Sequence, residues 1–298
     1  MTSSIAISQL SKCYSGSNTL ALDKLSLNVK PGEVYGFLGA NGAGKSTTIR
    51  LLMNFIQPTS GSAEIMGMDI VNDSVAVKRS VGYLAGDIAL WPKVTGHELF
   101  AYLSSLQGGN DKAYLTQLIK QFQAEPEKRI DELSKGNRQK IGIIQALMHQ
   151  PEVLILDEPT SGLDPLMQEV FYDTIRDASA RGAAVFVSSH NLAEAQRMCN
   201  RVGIIKHGRL IHEQDIKSSQ SLSMTTFRVT LTHAKDIEKL RKNLHLKVVS
   251  IEGATAIVQP KKTLSEALAA LGTYPIRSIS TQQLNLEDEF LEYYGDGA

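Results

Sequence analysis

Gly39-Ala40-Asn41-Gly42-Ala43-Gly44-Lys45-Ser46 fits the pattern G-x4-G-K-[ST] without a gap. Before it stands Val34-Tyr35-Gly36-Phe37-Leu38, a short apolar run that reads as a strand. After it, the segment from Lys45 to Asn54 has the spacing of an amphipathic helix. Strand, glycine-rich turn and helix in that order are the context in which this pattern holds phosphate. The glycines let the backbone turn so that successive N–H groups converge on phosphate oxygens, and the helix start adds its positive end. Lys45 is placed to reach β- and γ-phosphates, Ser46 to bind Mg²⁺ through its hydroxyl, and Thr47 to meet the α-phosphate.

Outward from this loop the first two-thirds of the chain alternate strand-like and helix-like patterns. Val153-Leu154-Ile155-Leu156 is continuously apolar, as a parallel strand buried on both faces must be. Ala184–Val187 and Val202–Ile205 read the same way, which argues for an α/β core with a largely parallel sheet. Ile5 and Ile7, then Leu25, Leu27 and Val29, alternate at period two, which predicts antiparallel strands ahead of the loop. Asp157 and Glu158 follow the apolar run, at the strand end where open α/β sheets place their ligands. Asp157 is the expected partner of Mg²⁺, and Glu158 the acceptor of a proton from water attacking the γ-phosphate.

The 298 residues exceed one ordinary small domain. At 42% hydrophobic and 21% charged, the chain has material for a sizeable core. Lys and Arg number 31, as do Asp and Glu, and residues 221–298 hold nine of each, so both parts are neutral. Neither carries the basic excess of a general nucleic-acid or acidic-membrane binder. No apolar run approaches the roughly 18–20 residues that span a bilayer, and Met1–Ile5 lacks the n- and h-regions of a signal peptide. Cys13 and Cys199 have no metal-ligand spacing. These features predict a soluble cytoplasmic protein.

Near Lys217–Ser223 the sequence turns polar and serine-rich, which sets a boundary between domains 1–220 and 221–298. The second part reads strand (226–231), helix (236–243), strand (247–251), strand (254–259), helix (264–271), strand (276–281), with a hairpin turn at Glu252-Gly253 and a capping box from Thr263 to Glu266. That βαββαβ order is the ferredoxin-like pattern. A further helical segment is predicted over 286–294.

Three more stretches carry a family resemblance: Leu133-Ser134-Lys135-Gly136-Asn137-Arg138-Gln139-Lys140, Asp157-Glu158-Pro159-Thr160-Ser161-Gly162-Leu163-Asp164-Pro165, and Ser189-His190. Together with the phosphate loop they resemble the ATPase subunit of an ABC transporter over roughly residues 4–216. The resemblance implies a P-loop ABC-type nucleotide-binding domain with a mostly parallel core sheet, an antiparallel N-terminal subdomain and a helical signature subdomain. It implies that Tyr14 stacks on adenine, that Gly39 to Thr47 form the Walker A loop, and that Asp157 and Glu158 form the Walker B pair. Ser134 to Asn137 then occupy the signature, Ser161 to Asp164 the D-loop, and His190 the switch position. The implied ligand set is ATP with Mg²⁺.

In this family two subunits sandwich two ATP molecules, each held by one phosphate loop and the partner's signature. Ser134 and the N–H groups near Gly136 precede a helix predicted over 138–149, which makes an anion site lacking its anion in one chain. The implied partners are a second ATPase subunit, favouring a homodimer, and an integral membrane permease. That permease alone would bring the chain to the cytoplasmic membrane face. The small C-terminal domain resembles the accessory domain of bacterial exporter ATPases. No nucleic-acid partner is expected.

The residues also admit plainer roles. Ser134 and Asp164 are good N-caps, with Pro165 suited to a first helical position. His190 suits a strand end and Tyr14 suits packing. Gly86 stands where the family usually has a glutamine, with Asp87 beside it as a substitute water or metal contact. The signature has Lys135 for a glycine and Asn137 for a glutamine. Trp91 fits either an anchor for a membrane subunit or the helical subdomain. The competing classes are a non-transport ABC ATPase on ribosomes or nucleic acid, and a slow nucleotide-dependent switch. A GTPase is disfavoured because no N-K-x-D occurs.

Overall fold

The computed structural model describes residues 3–16, 19–109, 111–216, 226–241, 243–261 and 263–282. The chain divides into a unit ending at Ile216 and another from Lys217. The division comes earlier than the polar composition change suggests, because Ile216 is buried and donates its N–H to Asn200 O at 2.8 Å.

The described residues of the first unit form two sheets. Strands β1 (Ile5–Cys13), β2 (Leu20–Val29), β4 (Ser60–Ile65) and β5 (Met68–Asp69) form an antiparallel sheet in the order β2-β1-β4-β5. The larger sheet contains β3 (Val34–Leu38), β6 (Val81–Leu84), β7 (Val153–Asp157), β8 (Ala184–Ser189), β9 (Arg201–Lys206) and β10 (Arg209–Asp215). Its order is β10-β9-β3-β8-β7-β6, parallel except for the β9–β10 hairpin.

Helix α1 (Lys45–Leu52) lies against β2, β4 and β7 and so fills the space between the sheets. Its Ile49, Leu51 and Leu52 share one core with Leu10, Leu22, Tyr35, Ile155 and Phe186. Alternate strand residues face the other way. Gly36 is one of these, and a Cβ there would come within 2.8 Å of Cys199 Sγ. Helices α6 (Pro165–Ala180) and α7 (Leu192–Met198) cover β3 and β8. At roughly 1.5–3 kcal/mol per buried large apolar side chain, this shared core dominates the favourable side of folding.

The remaining α-helices among the described residues of this unit are α2 (Ser74–Ser80), α3 (Gly96–Leu106), α4 (Lys112–Gln121) and α5 (Lys135–Leu147), and both α3 and α4 lie against α5. Helix α5 starts at Lys135 rather than at Arg138, because the Ser134 hydroxyl accepts the Asn137 N–H at 3.2 Å and opens the helix inside the motif. Helix α3 opens with a complete capping box from Thr95 to Glu98 that the sequence reading did not pick out. The Thr95 hydrogen bonds hold the Glu98 carboxyl below its usual range. Trp91 is half exposed and packs on Tyr102 of α3 with ring centroids 4.9 Å apart.

In the second unit β11 (Thr226–Leu231), β12 (Leu246–Glu252), β13 (Thr255–Pro260) and β14 (Ile276–Gln282) pair antiparallel in the order β12-β13-β11-β14. Each βαβ pair is split by a strand of the other. The helix expected over 236–243 is a 3₁₀ turn, Ala234–Asp236, followed by the short α8 (Ile237–Arg241). Helix α9 (Leu264–Leu271) is capped by the Thr263 hydroxyl. Phe227, Val229, Leu240, Val258, Ala267 and Leu271 form this unit's own core. The helix expected over 286–294 lies outside the described residues. No helix among the described residues is long and apolar enough to cross a membrane.

Gly82 in β6 has no room for a side chain: a Cβ would fall 2.0 Å from the Ala146 carbonyl oxygen and 2.7 Å from Pro151. Gly82→Ala should therefore destabilise the first unit by about 2–3 kcal/mol. An unchanged urea midpoint would show that β6 and α5 can separate without loss.

Candidate functional site

The residues of the loop after β3 fold back on themselves before α1 begins. Gly42 and Gly44 have φ of +82° and +117°. At Gly44 space also forbids a side chain, because a Cβ would lie 2.9 Å from Ala21 O. Lys45, only 6% exposed, donates from Nζ to the carbonyls of Gly39 at 2.6 Å and Ala40 at 3.4 Å. Its third neighbour is Glu158 Oε1 at 3.4 Å. Glu158 Oε2 in turn sits 2.8 Å from His190 Nδ1.

Three neighbouring strands present these groups. Lys45 follows β3, Asp157 ends β7 with Glu158 beyond it, and His190 follows β8. The buried Ser188 hydroxyl joins two of these strands: it donates to Asp157 Oδ1 and accepts the Glu158 N–H at 3.1 Å. Burial, and then the charge of Asp157, raise the pKa of the neighbouring Tyr83 phenol.

A cleft of about 420 Å³ lies over these strand ends. Asn41, Gly42, Gly44, Lys45, Ser46 and Thr47 line it together with Asp157, Glu158 and His190. Gly39 contributes through its carbonyl to Lys45, and Ala43 is buried beneath the loop. Tyr14 is partly exposed, with its hydroxyl 3.3 Å from Thr47 Oγ1 and the Lys12 ammonium 5.5 Å from its ring centroid. Gly86 and Asp87 also line the cleft, and a Cβ on Gly86 would approach the Asp157 carboxyl at 3.2 Å.

Ser134, Gly136 and Asp164 are not among the lining residues. They belong to the starts of two helices: Ser134 caps α5, and Asp164 caps α6 by accepting the Met167 N–H at 3.0 Å. The two starts adjoin, since a Cβ on Gly136 would meet Gly162 O at 2.9 Å.

The sequence reading missed Ala21 and Arg50 in the cleft lining, and the buried Ser188 hydroxyl that holds Asp157 and Glu158 from behind. Arg50 lies four residues after Ser46 on α1, a helical spacing that would have placed it on the same side. Ala21 arrives from β2 through tertiary packing and leaves no local signal.

The family profile described as ABC transporter matches residues 22–161. The bacitracin transport ATP-binding protein BcrA of Bacillus licheniformis is 37% identical over 216 residues, covering 72% of this chain and 70% of that protein. The daunorubicin/doxorubicin resistance ATP-binding protein DrrA of Streptomyces peucetius is 31% identical and covers 100% of this chain and 94% of its own. A solved structure of an ATP-binding subunit of an ABC transporter superimposes with a TM-score of 0.68 at 27% identity, over 74% of this chain and 93% of that one. By sequence and by fold, the chain belongs to the ABC transporter family, as one of its ATP-binding ATPase subunits.

Proposed function

We infer that this subunit hydrolyses ATP to power transport, in the direction of export, through a separate membrane permease. The observation that carries the hydrolytic part is the row Lys45, Glu158, His190, linked at 3.4 and 2.8 Å at the mouth of the phosphate loop. Export is supported by the resemblance to relatives named for bacitracin transport and for daunorubicin/doxorubicin resistance.

In this reading the loop N–H groups and the Lys45 ammonium hold the β- and γ-phosphates, Thr47 meets the α-phosphate, and Tyr14 stacks on adenine. Ser46 and Asp157 line one cleft and offer a hydroxyl and a carboxylate. Such hard oxygen donors, few in number, fit Mg²⁺, which keeps waters and phosphate oxygens as its other ligands. When bound, Mg²⁺ draws charge from the phosphate oxygens. Asp87, in the same lining, takes the place of the absent glutamine as a water contact.

The Glu158 carboxylate orients a water against the γ-phosphorus and accepts its proton as the new P–O bond forms. The bond from the γ-phosphorus to the bridging oxygen breaks, leaving ADP and inorganic phosphate. His190 holds the Glu158 carboxylate and faces the γ-phosphate.

Ser134, Gly136 and Asp164 act on the ATP of a second copy, since they stand apart from the cleft of their own chain. Dimer closure would then complete both sites and drive the permease. Lys135 and Asn137 flank Gly136 without removing the Ser134 hydroxyl.

Glu158→Gln should lower turnover by about 10²–10⁴ while leaving ATP affinity within a few fold. Unchanged turnover would place the base elsewhere. Chelation of divalent cations should abolish hydrolysis, and adding back Mg²⁺ should restore it; turnover in excess chelator would contradict the assigned ligands. Purification from gently solubilised native membranes should bring down an integral membrane protein in stoichiometric amount. Recovery with ribosomes or nucleic acid instead would overturn the transport reading.

A further inference from the structure

Glu194 stands in the first turn of α7, half-buried, four residues beyond His190. A glutamate at this position ordinarily reaches back to the N–H of the capping residue. Here it does not. The Asn191 N–H donates to Ser189 Oγ at 2.9 Å, and Asn191 Oδ1 accepts the N–H groups of Ala193 at 3.0 Å and Glu194 at 3.4 Å. The first turn of α7 is thus served without the carboxylate.

Its Oε2 accepts two other hydroxyls, Thr160 Oγ1 at 2.8 Å and Ser189 Oγ at 3.2 Å. The second is the shorter of the two acceptor contacts of Ser189, the other being Asn191 O at 3.4 Å. Both hydroxyls are buried, at 5% and 1% exposure. Thr160 lies two residues beyond Glu158 and opens the stretch that ends at Asp164; Ser189 is the last residue of β8, next to His190. One carboxylate oxygen therefore ties together the two loops that carry Glu158 and His190. Two hydroxyls that converge on one oxygen fix its place by geometry, since a carbonyl-type oxygen has lone pairs for both.

We propose that Glu194 is a positioning residue for hydrolysis, setting the separation of the Glu158–Asp164 loop from the His190 loop. The proposal rests on the reading of Glu158 as the base. Through Thr160, a shift of the Ser161–Asp164 stretch is passed to Ser189 and so to His190.

The test is to measure kcat, ATP KM and thermal midpoint on the full chain for Glu194→Ala, Glu194→Gln and Glu194→Asp, with Glu158→Gln in parallel. Both hydroxyls bond one oxygen, so the glutamine carbonyl oxygen can accept both, whereas aspartate is too short to reach. Ala and Asp should lower kcat about tenfold or more with KM moving less than about threefold, and Gln should stay within about threefold of the unaltered chain. Thr160→Val combined with Glu194→Ala should lower kcat by less than the product of the single effects.

Glu194→Ala turning over normally overturns the proposal. So does Gln failing as badly as Ala, because charge and not the paired bonds would then be the requirement. A loss shared equally by thermal midpoint and nucleotide affinity also overturns it, leaving a purely structural residue. If Glu194→Ala does not fold, Thr160→Val carries the test, and unaltered kcat there overturns the proposal. An active Glu158→Gln would instead defeat the base reading, whereas an inactive one beside an active Glu194→Ala defeats the positioning role alone.

Discussion

Strand β8 lies between β3 and β7, parallel to both, and this pairing fixes where every reactive group can stand. Adjacent strands are about 4.8 Å apart. Groups leaving their carboxyl ends are therefore already within one or two side-chain lengths of each other. Leu38 is level with Ser189, and Asp157 with Ser188, so the register sets the row as well as the spacing. A slip of one residue in β8 would turn Ser188 to the opposite face and break its bonds to Asp157 and Glu158. The core on the α1 side of the sheet, where the Phe186 ring stacks on Tyr35 and meets Phe37 at a tilt, keeps that register.

Within this frame the charges are arranged around a buried cation. An ammonium taken out of water needs partners, and Lys45 finds two carbonyls and one carboxylate. Glu158 is held on its side by the backbone as well. Of the non-glycine residues with positive φ among those described, it is the one that lines the cleft, at +48°. Conformations of this kind persist where the surroundings over-determine them. Here the Glu158 N–H is fixed by both the hydroxyl and the carbonyl of Ser188. On the proposed reading, the entering phosphates replace carbonyl and carboxylate partners of Lys45, so the donors are in place before the substrate arrives.

What could be read from the sequence follows the range of the interactions. The phosphate loop, the strand before it and the helix after it are local: glycine φ, an apolar run and helical spacing specify them. The strand Val153–Asp157 announced itself because burial on both faces demands continuous apolarity. The boundaries of α5 and α8 were less legible. In α5 the cap lies inside the motif, and in α8 a short turn breaks what periodicity alone draws as one helix. Ser188 and Glu194 were invisible for another reason. Their partners Glu158 and Thr160 lie about thirty residues away, and only the β7–β8 pairing and the placement of α7 bring them together.

The capping roles of Ser134 and Asp164 bear on whether these residues are more than helix starts. Ser134 accepts the Asn137 N–H through an oxygen lone pair, and that leaves the hydroxyl hydrogen to donate elsewhere. Asp164 uses Oδ1 for Met167, and its second oxygen keeps its acceptor capacity. On the proposed reading, a cap therefore does not compete with a contact to a second copy; it aims it. The bond that satisfies the helix N-terminus also fixes the hydroxyl beside the positive end of α5. The absence of a side chain at Gly136 then has two consequences at one point. It lets Gly162 O approach, bringing the two helix starts together, and on the proposed reading it leaves the first-turn N–H groups that Ser134 does not take facing an anion held by a second copy.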